Sequence, residues 1–122
     1  MDSLHNYFYP LRVRPRSRVV ALSEYGGIAW PMPGHEPPRR AYGYGTAKSR
    51  AELTARWKKL QLETVFPQLK KGLSALVYTQ VSDVEDEVNG LFTYDRAAIK
   101  PDPAAVRAVN QALEAAFEKA TE

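Results

Sequence analysis

The spacing of apolar residues along the chain predicts two strands and two helices. Residues 18–24 and 73–80 are short, nearly continuous apolar runs, the pattern of strands buried on both faces of a parallel sheet. Residues 49–71 and 103–119 carry apolar side chains at the spacing of amphipathic helices. Because the order is strand, helix, strand, helix, we predict an α/β fold whose two strands run parallel with a right-handed crossover.

Local signals support the ends of both predicted helices. A Ser-x-x-Glu capping box begins at Ser49, and Gly72 is a natural stop after the first helix. Pro67 is expected to kink or divide this helix near its end. Asp102 followed by Pro103 is typical of the cap and first residue of a helix, and it predicts the start of the second one.

Two segments are predicted to lack regular structure. Residues 1–17 contain aromatics and prolines and are interpreted as a loop. Residues 28–48 contain four prolines together with glycines and aromatics, which excludes a helix or a central strand over most of the segment. Loops of this length in a compact domain are usually functional. We therefore interpret residues 28–48 as an ordered active-site loop.

Length and composition narrow the classes of protein. The chain of 122 residues forms one domain and is too short for a complete (β/α)₈ barrel of roughly 250 residues. It contains no cysteine, which excludes disulfides and thiolate chemistry. Its two histidines lack metal-ligand spacing, so no metal and no cofactor are expected. No signal peptide or membrane span is evident. The compartment stays open, with the bacterial cytoplasm favoured.

The basic residues near the N-terminus have two interpretations. Arg12, Arg14, Arg16 and Arg18 alternate along one segment, as in an arm that contacts nucleic acid. The same alternation is typical of a solvated loop, and no nucleic-acid-binding motif accompanies it. We therefore expect neither a nucleic-acid partner nor a membrane partner.

Several longer segments resemble one enzyme family. They are SEYGGIAW, PGHEPP, YGYGT and, most specifically, YTQVSDVEDEVNGLFTYDR at residues 78–96. Together they resemble the C-terminal part of the catalytic TIM barrel of glycoside hydrolase family 2, which contains β-galactosidases, β-glucuronidases and β-mannosidases. The opening HNYFYP is similar to the loop after the sixth barrel strand. The resemblance implies that residues 1–122 are a partial (β/α)₈ barrel, with strand 7, helix 7, strand 8 and helix 8 in that order.

The resemblance also implies a chemistry. Glu24, at the end of the first predicted strand, matches the nucleophile of a retaining β-glycosidase acting on β-galactoside- or β-glucuronide-type substrates. The family takes its acid/base from an Asn-Glu pair on the fourth strand, and no such pair occurs in this sequence. We therefore expect the isolated chain to be inactive. We also expect it to self-associate unless it is joined to the remainder of the barrel, on the same or another chain.

The segment before the first predicted strand supplies three further candidates. The resemblance assigns to Tyr7 a hydrogen bond to the nucleophile, although Tyr9 fits the same role. His5 and Asn6 are candidates for contacts to sugar hydroxyls, with packing of the loop as the equal alternative.

The remaining substrate-binding candidates are mostly aromatic. Tyr78 matches a platform beneath the sugar ring or, alternatively, a core aromatic, and Gln80 offers hydrogen bonds to the sugar. Trp30, Tyr42 and Tyr44 either stack on sugar faces or pack the long loop.

Two further expectations concern the chain as a whole. Asp95 and Arg96 are predicted to form a structural ion pair before the last helix. The alternative to a glycosidase fragment is a non-catalytic module that binds carbohydrate or docks on a partner protein.

Overall fold

The computed structural model describes residues 1–8, 10–14, 17–37 and 40–122. In these ranges three strands form one parallel sheet, in which they lie side by side in chain order. The strands and the three α-helices α1 to α3 are, in chain order, β1 (Asp2–Asn6), β2 (Val20–Gly26), α1 (Arg50–Lys59), α2 (Phe66–Leu69), β3 (Leu73–Thr79) and α3 (Pro103–Thr121). The mixed α/β class and the parallel pairing of the two predicted strands are confirmed.

The first strand corrects the prediction that residues 1–17 form a loop. β1 pairs in parallel with β2 along its whole length, and its residues alternate between partly buried and exposed. Leu4 is the only strongly apolar residue in this strand, so the sequence carries no apolar run there. The strand exists because β2 offers it a ladder of backbone hydrogen bonds, a contact between distant residues that a local pattern cannot reveal.

The third strand corrects the expectation that both predicted strands are buried on two faces. β2 is mostly buried, whereas Ser74, Ala75 and Val77 of β3 are exposed and Val77 has 55% of its surface open. β3 is an edge strand among the described residues. The helices that contribute to the main core do not cover the side of β3 that carries these exposed residues.

The predicted helix at residues 49–71 is one helical stretch with a change of winding. A π-helical segment, Leu60–Val65, joins α1 to α2, and the backbone N–H of Phe66 reaches the carbonyl of Gln61. Pro67 follows directly and has no N–H to donate, so a wider turn before it removes the clash of its ring with the carbonyl four residues back. The chain then leaves the helix through Gly72 in a left-handed conformation, with φ +96°.

Two clusters of buried residues hold the elements together. The main core lies between the sheet and the helices and consists of Leu11, Val13, Val20, Leu22, Tyr25, Trp57, Val65, Leu69, Leu73, Val109 and Leu113. A smaller core under residues 28–48 consists of Ile28, Trp30, Ala47 and Leu53. Leu53 and Trp57, one turn apart on α1, enter different clusters, so α1 fixes the long loop relative to the sheet. None of the helices in the described ranges has the length and apolarity to cross a bilayer.

The basic segment before β2 has one apolar side. Leu11 and Val13 are buried in the main core, while Arg12 and Arg14 between and after them are exposed. Arg16 lies outside the described residues, and Arg18 stands 3.6 Å from Asp2. The alternating arginines are therefore, where described, the solvent side of a segment that packs on the core.

A buried ion pair organises the loop after β3. The Nζ of Lys100 lies 2.8 Å from Asp83 Oδ1 and also donates to the carbonyl of Val88 at 2.7 Å. Asp83 Oδ1 accepts from the backbone N–H of Gly90 as well, at 2.8 Å. Burial lowers the pKa of Lys100 and raises that of Asp83, and each partner opposes that effect on the other.

Lys100→Met is expected to destabilise the protein by about 3–5 kcal/mol, because it leaves the Asp83 carboxylate buried without its cation. Urea unfolding followed by circular dichroism measures this difference. Lys119→Met, at an exposed position of α3, is the matched control and should change the free energy of unfolding by less than about 0.5 kcal/mol. Equal effects of the two substitutions would contradict the role of the ion pair.

Val77→Lys is expected to weaken self-association of the isolated chain by at least about tenfold. The substitution removes an apolar contact worth about 1.5 kcal/mol and places a charge on the open edge strand. Sedimentation velocity over a range of concentrations measures the effect. Leu62→Lys, an equally drastic change at an exposed position of the π-helical segment, should leave association unchanged. A parent chain that stays monomeric at high concentration would refute the prediction.

Candidate functional site

The carboxyl ends of the three strands lie at one edge of the sheet. In the pairing of β1 with β2, His5 stands opposite Glu24 and Asn6 opposite Tyr25. In the pairing of β2 with β3, Gly26 stands opposite Thr79. Since ligands of open parallel sheets bind at this edge, the predicted site residues on three separate segments are brought to the place where a site is expected.

An irregularity in β2 directs Glu24 away from the core. In the pairing of β1 with β2 the register shifts between Leu4 and His5 of β1. In the pairing of β2 with β3 it shifts between Leu22 and Tyr25 of β2. Leu22 and Tyr25, three residues apart, are both buried in the main core, whereas Ser23 and Glu24 between them are partly exposed. A regular strand would place Glu24 on the same face as Leu22. The extra residue of a bulge re-aims the carboxylate to the open side.

Two side chains from the start of the molecule contact the same oxygen of Glu24. The hydroxyl of Tyr7 donates to Glu24 Oε2 at 2.7 Å, and Nδ1 of His5 lies 3.1 Å from that oxygen. Glu24 Oε1 has no hydrogen-bond partner among the described residues, and the side chain of Glu24 is 45% exposed. The carboxylate is thus held at one oxygen and open at the other, an arrangement that suits a nucleophile.

The position of Tyr7 is fixed by more than the carboxylate. Its hydroxyl also lies 3.4 Å from Thr79 Oγ1, at the end of β3. Burial raises the pKa of Tyr7, and the bond to Glu24 and the charge of that carboxylate raise it further, while the bond to Thr79 lowers it. Tyr7 therefore stays protonated at neutral pH and donates its hydrogen. The alternative candidate for this role, Tyr9, lies outside the described residues.

The ring of Tyr7 is covered by an aromatic residue of the long loop. Tyr44 stacks on Tyr7 with ring centroids 4.0 Å apart and an interplanar angle of 19°. Phe8 and Tyr42 meet Tyr44 edge to face, at centroid distances of 5.6 Å and 5.8 Å respectively. The prediction offered sugar stacking or loop packing for Tyr44, and the structure shows it packed both on Tyr42 of its own loop and on Tyr7, which holds Glu24.

Two predicted sugar-contacting aromatics are part of the cores. Trp30 is only 8% exposed and belongs to the smaller core, which leaves little ring surface for a sugar. Tyr78 packs against the main core, edge to face with Tyr25 at 5.3 Å, and a Cβ on Gly26 would stand 2.2 Å from its ring. Burial raises the pKa of Tyr78. The packing alternative describes both residues, and their contact with a sugar stays a prediction.

Gln80 and Asn6 reach the edge without contacting Glu24. The amide Nε2 of Gln80 donates to Asn89 Oδ1 at 2.8 Å and lies 3.5 Å from Glu87 Oε2. Gln80 therefore joins the end of β3 to the loop behind it. Asn6 is the last residue of β1 and is partly buried. In the described ranges no three His, Asp or Glu side chains gather into a group that could hold a metal.

The two loops that border this edge are held together. The backbone N–H of Tyr42 donates to the carbonyl of Asp86 at 2.6 Å, and that of Trp30 donates to the carbonyl of Val88 at 2.9 Å. His35 Nδ1 lies 2.6 Å from Asp95 Oδ2, so His35 occupies the place at Asp95 that was predicted for Arg96. These contacts join the described residues of the loop, 28–37 and 40–48, to the segment after β3.

Several of these residues carry no sequence signal for their role. Tyr44 and Asn89 are distant from Tyr7 and Gln80 in the chain, and only folding brings each pair together. One indirect signal exists. Gly27, with φ +77°, has no room for a Cβ, which would stand 2.6 Å from the ring of Tyr44. A pair of glycines after a strand is thus the sequence signal that could have indicated a close approach, although it does not identify the residue that approaches.

The contribution of Asp95 to stability is expected to depend on pH. Hydrogen bonds from Thr93 and Ala97, followed by that from His35, lower the pKa of Asp95 from 3.8 to about 2. A carboxyl with a lowered folded pKa stabilises the fold fully above its unfolded value and loses that contribution as the pH falls through the folded value. The free-energy difference between the parent and Asp95→Asn should therefore shrink between about pH 4 and pH 2. Urea unfolding at several pH values measures it.

The control for this titration is an exposed carboxylate. Glu118→Gln on α3 should differ little from the parent at any of these pH values. A parent-to-Asp95→Asn difference that stays constant down to pH 2 would contradict the lowered pKa.

Comparison with known proteins adds no assignment to this geometry. No protein-family model and no curated protein sequence matches the chain.

Proposed function

We propose that this chain is the C-terminal part of the catalytic barrel of a retaining β-glycosidase similar to glycoside hydrolase family 2. Glu24 is the nucleophile in this proposal, and Tyr7 and His5 hold its carboxylate. β1 corresponds to the end of the sixth barrel strand, and β2 and β3 are the seventh and eighth. Neighbouring strands of such a barrel follow one another in sequence and run parallel, as β1, β2 and β3 do.

One observation carries the proposal. A glutamate at the carboxyl end of a parallel strand has one oxygen bonded by a tyrosine hydroxyl at 2.7 Å, while no described residue hydrogen-bonds its other oxygen. The family resemblance pairs this glutamate with a tyrosine, Tyr7 or Tyr9, and Tyr7 lies 17 positions from Glu24 in the chain. Their contact therefore agrees with an expectation that was formed from separate motifs.

The chemistry follows from the state of the carboxylate. An oxygen of ionised Glu24 attacks the anomeric carbon, the bond from that carbon to the leaving oxygen breaks, and a glycosyl ester forms on Glu24. Water then cleaves the ester and restores the carboxylate. A second carboxyl, roughly 5 Å from the first, protonates the leaving group and activates the water in such enzymes. In this proposal the remainder of the barrel supplies that carboxyl, and the substrate is a β-glycoside.

The alternative, a non-catalytic carbohydrate-binding module, has weaker support. Such modules present flat aromatic faces to the sugar, and Trp30 and Tyr78 are both packed into cores. Glu24, in contrast, is exposed and organised by hydrogen bonding at the strand ends. The arrangement therefore favours chemistry at a carboxylate over simple stacking.

The nucleophile can be tested without the missing acid. A 2,4-dinitrophenyl 2-deoxy-2-fluoro-β-galactoside, or the corresponding glucuronide, loses its leaving group without protonation and traps the glycosyl ester. Incubation with the chain at millimolar concentration, followed by proteolysis and mass spectrometry, should show one added glycosyl group on the peptide that contains Glu24.

Two variants serve as controls. Glu24→Gln should abolish the label because an amide is a far weaker nucleophile, whereas Glu63→Gln, at an exposed glutamate on the π-helical segment, should keep it. A label on another carboxylate, or no mass increase with either reagent, would contradict the assignment of Glu24.

A further inference from the structure

We propose that Tyr44 is a positioning residue for the nucleophile: its ring holds the Tyr7 hydroxyl on Glu24 Oε2, which leaves Oε1 as the attacking oxygen. The inference rests on the proposed function, because it takes Glu24 as the nucleophile. The contact between Tyr44 and Tyr7 does not depend on that function. Tyr44 lies in the loop at residues 28–48 and stacks on Tyr7, whose hydroxyl in turn donates to the carboxylate.

The backbone of Tyr44 is anchored independently of its ring. Its N–H donates to the carbonyl of Gly27 at 2.8 Å, immediately after β2, and the neighbouring Gly45 accepts from the N–H of Ala29 at 2.7 Å. These bonds fix the loop against the strand that carries Glu24. The backbone of Tyr44 is therefore held next to the strand that carries Glu24 by bonds that do not involve Tyr7.

The ring of Tyr44 fills the space between Gly27 and Tyr7. On one side it approaches Gly27 so closely that a Cβ there would stand 2.6 Å from it. On the other side it stacks nearly flat on Tyr7, at 4.0 Å. Tyr7 lies after the end of β1 and outside the sheet ladder, so backbone pairing with β2 does not fix its side chain. A flat wall at this distance restricts the ring of Tyr7 to a plane in which its hydroxyl reaches Oε2.

The consequence concerns the two oxygens of the carboxylate. Tyr7 and His5 both contact Oε2, and no described residue hydrogen-bonds Oε1. An oxygen that accepts a strong hydrogen bond is a weaker nucleophile than one that accepts none. If the ring of Tyr7 were free to turn, its hydroxyl would leave Oε2 and this distinction between the oxygens would fade.

The test measures the coupling between Tyr7 and Glu24 with and without the Tyr44 ring. Tyrosines labelled with ¹³C at the ζ carbon are titrated by NMR, and the signal of Tyr7 is assigned by its loss in Tyr7→Phe. Glu24→Gln removes the negative charge next to Tyr7, so it should lower the measured pKa of Tyr7 by about one pH unit in the parent. The same step is then repeated in each Tyr44 background.

In Tyr44→Phe, which keeps the stacked ring, Glu24→Gln should lower the pKa of Tyr7 about as much as in the parent. In Tyr44→Ala the same substitution should change it little, because Tyr7 is no longer held against Glu24. Tyr44→Leu keeps apolar bulk without a flat ring, and it should behave like Tyr44→Ala. Tyr94→Ala removes an exposed tyrosine and should leave the coupling intact.

A merely structural role for Tyr44 gives a different result. In that case Tyr44→Ala and Tyr44→Leu lower the stability, but Glu24→Gln shifts the pKa of Tyr7 as much as in the parent, and this outcome overturns the proposal. If Tyr44→Ala does not keep the far-ultraviolet circular dichroism of the parent, Tyr44→Leu and Tyr44→Phe decide the comparison. The titration needs no glycoside, so its outcome is independent of whether Glu24 accepts a glycosyl group.

Discussion

The pairing of β1 with β2, together with the shift of register at Ser23 and Glu24, is the constraint on which the site depends. Leu22 and Tyr25 are both anchored in the main core, so the two residues between them have no place there. Glu24 is consequently presented to the open side, opposite His5 and within reach of Tyr7. A regular strand with the same residues would place the carboxylate among apolar side chains, where its charge would be costly to maintain.

The support beneath this edge comes from the change of helical winding. Gln61 of the π-helical segment is buried. Its Nε2 donates a hydrogen bond of 2.9 Å to the hydroxyl of Tyr25. Tyr25 follows Glu24 directly, so this bond fixes the strand where the carboxylate leaves it. The wider turn required before Pro67 thus also positions a polar side chain under the site. One local feature serves both the packing of the helix and the geometry of the strand end.

The sequence was informative where the physical signal was local. Apolar runs and caps predicted β2, β3, α3 and the helical stretch, although β3 leaves part of its apolar run exposed. β1 was missed because a strand with a single large apolar residue depends on its neighbour. For Trp30 and Tyr78 the sequence left both sugar stacking and packing open, because the choice depends on which side of the fold each ring faces. Both rings pack against buried clusters. The partner of Asp95 was likewise decided by the approach of His35 from a distant loop.

The sheet has an exposed side at β3, whereas the loops at the carboxyl ends of the strands are held by contacts with one another. β3 exposes Val77 and is an edge strand among the described residues, which is unusual because parallel sheets are normally covered on both faces. The loops at the carboxyl ends of the strands, by contrast, are joined by backbone hydrogen bonds and by the pair of His35 with Asp95, and the buried pair of Lys100 with Asp83 organises the loop after β3. A further strand or helix packed on the sheet would cover its open side, whereas the loops are already held by contacts within this chain. The geometry around Glu24 is therefore a property of this chain, set by the pairing of β1 with β2 and by the contact of Tyr7 with the carboxylate.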